Sequence, residues 1–112
     1  MQTTAYYLDA VAREGVTHAF LVPGGLIDPF LADLTRTPGL TPVVAAHENG
    51  AACMADGYAR ASGRFGLCLC IGGPGVTNTL TGAVAAATDH SPVLILSGQV
   101  PTNWEGRGGF QD

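Results

Sequence analysis

Apolar positions along this chain recur with two alternating periods. Ala5, Leu8, Val11 and Ala12 fall at helical spacing within residues 4–14, and Gly15 closes that segment. Residues 17–22 form a short apolar run that ends in Pro23-Gly24-Gly25. A helix is predicted over 27–34, a turn at Pro38-Gly39, and a strand over 41–46, where Val43 and Val44 favour extended backbone. A small-residue helix follows over 49–61, with Ala52, Ala55 and Ala59 on its inner side. Then come a strand over 66–71, a tight loop over 72–75, a helix over 76–88 and a strand over 93–97. The order α-β-α-β-α-β-α-β predicts an α/β fold, a parallel sheet with right-handed crossovers and helices on both faces. Residues 99–112 carry two Gly-rich turns and Trp104 without a closing element, which marks them as a functional segment or a chain cut short.

Composition narrows the class. Of 112 residues only 12% are charged, none is Lys, and the net charge is −4. There is no basic stripe for nucleic acid, and 46% hydrophobic residues exclude a disordered tail. Residues 65–88 hold no charge, yet Gly72, Gly73, Pro74 and Gly75 interrupt them, so a buried strand, turn and helix is expected rather than a membrane span. Met1 to Thr4 show no basic region followed by an apolar core, so no signal peptide is expected there. Cys68 and Cys70 alternate on one face of a strand and Cys53 sits on a helix; all three read as buried free thiols in a reducing cytosol. No Cys or His pair has zinc spacing, and no metal ligand is assigned.

Ligands of an open parallel sheet sit beyond the carboxyl ends of its strands. Three predicted strands end there in Pro23-Gly24-Gly25, His47-Glu48-Asn49-Gly50 and Gly72-Gly73-Pro74-Gly75-Val76-Thr77-Asn78. Glu48 lies between a buried strand and the first turn of a helix. The helix dipole favours a carboxylate there by a few tenths to about 1 kcal/mol, and a catalytic acid or base would occupy the same place; spacing alone does not choose. His47 reads as a hydrogen-bonded structural residue. A dinucleotide loop fits poorly, with Asn78 in place of the third Gly and the ribose-binding acid missing. A P-loop lacks its Lys, and no nucleophile elbow is present.

Taken together, these segments resemble a known family. His47-Glu48-Asn49-Gly50-Ala51-Ala52, then Ala55-Asp56-Gly57-Tyr58-Ala59-Arg60, is similar to the opening of thiamine-diphosphate-dependent enzymes of the acetolactate synthase type. So are Gly73-Pro74-Gly75-Val76-Thr77-Asn78, Thr81-Gly82, Asp89-x-x-Pro92 and Ser97-Gly98-Gln99-Val100-Pro101. The match runs in order over essentially the whole chain. It implies an N-terminal pyrimidine-binding (Pyr) domain, residues 1–112, without the separate diphosphate-binding (PP) domain and lacking a final strand and helix of its own.

The resemblance assigns Glu48 as the catalytic residue that bonds the cofactor's pyrimidine nitrogen and favours its imino form, which then removes the thiazolium proton. An apolar site favours such a shared proton. Pro74 and Asn78 would line the pyrimidine, and Pro23, Gly24 and Gly25 would shape the pocket across a dimer. Phe110 and Gln111 fall where acetolactate synthases have a Phe-Gln pair near the second substrate. Asn49 replaces the usual Gln, Gly109 stands after the position of an expected Asp, and Asp28 is polar where the family is apolar. These departures keep cofactor binding and leave the 2-oxo acid and its acceptor open. Mg²⁺, and FAD if used, would be bound by parts outside these residues. A homodimer or a PP-domain partner would complete the site, and the chain alone is expected to bind cofactor weakly and not turn over. A stand-alone Pyr subunit, or a non-catalytic interaction module, is the alternative reading. A cytoplasmic enzyme is expected, with its uncharged 65–88 surface covered by a partner.

Overall fold

A computed structural model describes residues 2–112. Helix α1 (Thr3–Arg13) leads to strand β1 (His18–Leu21), a 3₁₀ turn (Gly25–Ile27) and helix α2 (Asp28–Leu34). Strand β2 (Thr41–Val44), helix α3 (Glu48–Ser62), strand β3 (Gly66–Cys70), helix α4 (Pro74–Thr88) and strand β4 (Val93–Ser97) complete it. All strand pairings are parallel, in the order β2-β1-β3-β4. The α/β parallel sheet expected from the alternation is therefore the fold, with small shifts at the element ends.

Period-two alternation sorts the strand residues to the two faces. Ala19 and Leu21 of β1, with Leu67 and Leu69 of β3, pack with Leu8 and Val11 of α1 and with Leu34 of α2. Phe20 and Cys68 point the other way, onto Ala51, Ala52 and Ala55 of α3. Each fully buried Leu contributes about 1.5–3 kcal/mol relative to exposure. On the α3 face the alanines instead allow close approach, and α4 lies beside α3. Helices thus cover both faces, and β3 is buried along its whole length.

Arg60 bridges helix and turn. Its Nε donates to Asp56 Oδ1 at 2.9 Å, and its Nη2 donates to Asp89 Oδ2 at 2.8 Å. The Asp56-to-Arg60 and Asp89 motifs of the sequence thereby become one clamp from α3 to the α4–β4 turn. No helix of the described residues is long and apolar enough to cross a membrane.

Candidate functional site

The strand order puts the reversal of winding between β1 and β3, because β1 connects outward to β2 whereas β3 connects outward to β4. Crevices at such a switch point are where this class of sheet takes its ligands. The loop after β1 carries Pro23-Gly24-Gly25, and Ile71 follows β3. The two meet closely: a Cβ at Gly24 would lie 2.5 Å from Ile71 Cγ2.

Glu48 is the first residue of α3, one earlier than its pattern predicts. His47 caps the helix, its Nδ1 accepting from the Asn49 N–H at 3.1 Å. That hydrogen bond is the structural role expected of His47. Pro74 is the first residue of α4, where its missing N–H costs nothing. One turn later Asn78 Nδ2 donates to Glu48 Oε2 at 3.0 Å. Glu48 and Asn78, thirty residues apart, therefore form one polar pair between α3 and α4. Glu48 is half-buried and makes no ion pair among the described residues.

The Glu48 carboxylate also acts on the end of β3. Burial pushes the Cys68 thiol up to about 12, with Cys70 and then Glu48 adding to the rise. Cys70 is raised first by burial, and Glu48 acts on it in the same direction. Glu48 thus lies near the carboxyl end of β3, beside the switch point.

The C-terminal segment folds back onto the β3–α4 loop. Gly73 adopts φ 63° and ψ −118°, a backbone state open to glycine and strained for other residues. A Cβ there would meet Phe110 O at 2.6 Å and Gln111 Cα at 2.9 Å. The Asp112 carboxylate accepts from the Gly106 and Gly108 N–H groups at 3.1 and 3.0 Å, which holds the turn closed. A cleft of about 470 Å³ lies between this segment and the sheet, lined by Gly72, Thr77, Ser97, Gln99 and Asp112, among others.

The structure thus brings Glu48, Asn78 and Pro74 to one edge, with the Phe110–Gln111 backbone against the loop before Pro74. The Phe110 ring is 81% exposed. Pro23, Gly24 and Gly25 share that edge, but no hydrogen bond ties them to Glu48 or Asn78 among the described residues. Asp28 is exposed at the start of α2. Asp112 and Gln99 escaped the sequence reading as cleft residues; Gln99 lies just beyond β4, and Asp112 arrives with the folded-back segment. Cys53 is exposed rather than buried, with its Sγ 3.9 Å from Asn49 Oδ1.

A carboxylate with one oxygen held by an amide and the other unbonded fits the N–H-bearing edge of a heteroaromatic ring. Among the described residues no three His, Cys, Asp or Glu side chains group where they could hold a metal ion.

The sequence matches a family over residues 1–112, the thiamine pyrophosphate enzymes, through their N-terminal TPP binding domain. The chain belongs to that family. It is 45% identical over 105 residues to the probable acetolactate synthase large subunit of Methanocaldococcus jannaschii, covering 94% of this chain and 18% of that protein. It is 42% identical over 108 residues to the acetolactate synthase of Arthrospira platensis, covering 94% of this chain and 19% of the relative. The acetolactate synthase large subunit of Haemophilus influenzae is 41% identical over 105 residues, with 94% and 18% covered. The chain therefore spans less than a fifth of the length of these relatives.

Proposed function

We propose that this chain forms the pyrimidine-binding face of a thiamine-diphosphate-dependent enzyme that joins 2-oxo acids in the manner of acetolactate synthase, a transferase or lyase chemistry. The observation that carries the reading is the Glu48–Asn78 pair at the carboxyl edge of the sheet. When bound, thiamine diphosphate supplies the carbanion chemistry. Glu48 is the catalytic residue: its free carboxylate oxygen shares a proton with the pyrimidine nitrogen and so favours the imino form. Asn78 holds the other oxygen and fixes the direction of the first.

Pro74 and Asn78 bound the pyrimidine, and Pro23, Gly24 and Gly25 shape the pocket across a dimer. Phe110 and Gln111 serve the second substrate from the folded-back segment. The diphosphate, its Mg²⁺ and any FAD are held by parts beyond these residues, in a PP domain or a partner carrying one. The face that α4 leaves open supports such a partner or a second copy. It has no charged residue, and Leu80 and Val84 are 53% and 63% exposed. Three free thiols suit a cytoplasmic setting.

Glu48→Gln in the complete enzyme tests the assignment. The amide keeps an oxygen for Asn78 but cannot share the proton, so turnover of 2-oxo acids should fall about 10²–10⁴-fold with the circular dichroism spectrum unchanged. Turnover within a few-fold of the parent would remove Glu48 from the chemistry.

A further inference from the structure

Two hydrogen bonds join α3 to α4 like neighbouring rungs. One is Asn78 to Glu48. In the other, Asn49 Oδ1 accepts from the Gly82 backbone N–H at 2.9 Å. Asn49 follows Glu48 directly, and Gly82 lies about one turn beyond Asn78, so both rungs cross the same helix–helix seam. The second rung sits where the helices are tightest. Gly82 is buried, and a Cβ there would lie 2.7 Å from Ala52 Cβ and 3.2 Å from Cys53 N. Asn49 is also held from behind, since its own N–H donates to His47 Nδ1. Its side chain makes no hydrogen bond to Glu48 or Asn78, so it cannot be exchanging protons with them. What it controls is how α4 sits against the first turn of α3.

We propose that Asn49 is a positioning residue for Glu48. By fastening Gly82 it sets the depth and rotation of α4, and through that the place of Asn78 Nδ2. Asn78 then occupies Oε2 and leaves Oε1 directed to the cofactor ring. Hydrogen bonds weaken steeply as distance and angle degrade, so a seam that slides loses the first rung together with the second. The inference rests on the proposed role of Glu48.

The test uses the complete enzyme, with its diphosphate-binding part present. Asn49→Ala removes the acceptor, Asn49→Ser is too short to span the seam, and Asn49→Gln keeps the amide on a longer stem. Two quantities are read: the Kd of thiamine diphosphate with Mg²⁺ by calorimetry, and the rate at which the thiazolium C2 proton exchanges for deuterium by NMR. In the Ala and Ser variants exchange should slow about tenfold or more, because a misplaced catalytic group loses rate steeply. Their Kd should rise about threefold to tenfold, the span of one net hydrogen bond. Asn49→Gln should restore both to within about threefold of the parent.

Folded Ala and Ser variants with parental exchange rates overturn the proposal. A loss that Gln does not restore also overturns it, and so do Ala and Ser variants that fail to fold, because Asn49 would then be holding the fold rather than the carboxylate. Glu48→Gln, measured alongside, separates the two ideas. Normal exchange in that variant defeats the role of Glu48 itself. Lost exchange there with normal exchange in Asn49→Ala defeats only the positioning.

Discussion

Replacing Gly73 by Ala asks how the C-terminal segment is held to the site. The residue has φ 63° and ψ −118°, and a side chain in such a region costs about 1–3 kcal/mol. Contact adds to the strain. The new Cβ would stand 2.6 Å from Phe110 O, so one partner must give by about 0.8 Å to reach an ordinary 3.4 Å contact. On one side of that contact is the start of a fifteen-residue helix. On the other is a segment whose residues 101–110 are all exposed. The segment is the side that moves, carrying Phe110 and Gln111 away from the loop.

Gly39→Ala is the comparison, because Gly39 also has positive φ, 82°, yet a Cβ there meets nothing within 4 Å. That variant carries backbone strain alone, about 1–2 kcal/mol. Thermal unfolding should place Gly73→Ala at or below Gly39→Ala, at several degrees per kcal/mol, about 4–8 °C for a domain of this order. The position of the segment has its own reporter in Trp104, the only tryptophan, and in trypsin cleavage after Arg107. Only Gly73→Ala should change the Trp104 emission and speed that cleavage. If it leaves both untouched and melts with the parent, the β3–α4 loop does not hold the segment.

Two further outcomes follow from the charges and thiols. Arg60 holds the Asp56 carboxyl below its ordinary value of 3.8, so the folded state binds fewer protons there than the unfolded chain. The stability from this clamp is present above about pH 4 and fades as pH falls through the lowered value; parent and Asp56→Asn unfolding midpoints should differ at pH 7 and converge toward pH 2. Convergence on raising the pH instead would contradict it. Of the three cysteines only Cys53 is exposed, while Cys68 sits at about 12 and Cys70 is raised. At pH 8 a thiol reagent should therefore titrate one group in the native protein and all three in denaturant; fast native labelling of a second would show that β3 is not shielded.

How much could be read before folding differs by element. The β3 run, its alternation and the Gly-Pro-Gly loop after it were plain, because a fully buried strand is uniformly apolar and a tight turn needs special residues. The ends of α3 and α4 were less so. His47 is the N-cap of α3 and Pro74 the first residue of α4, and the apolar pattern starts only after them, so it places both helices late. That shift matters at α3, where it decides that Glu48 stands inside the first turn. Asn49 was visible only as an Asn where the resembling family has Gln; nothing in its neighbours along the chain points to Gly82.

By itself the sequence determined the alternation of helices and strands, the parallel sheet and the three loops at its carboxyl edge. These depend on period, turn residues and the handedness of crossovers, all of which act over short stretches. Its motifs also marked Glu48, although spacing alone left that residue between a helix cap and a catalyst. Only the tertiary structure decided that Asn78 reaches Glu48, that Asn49 reaches Gly82, and that Phe110 and Gln111 return to Gly73. The first two meetings, across about thirty residues, depend on how closely two small-residue helices pack, and the third on how closely the C-terminal segment approaches the loop before α4. That closeness comes from missing side chains at Gly82 and Gly73, whose effect appears only when another part of the chain arrives to fill the space.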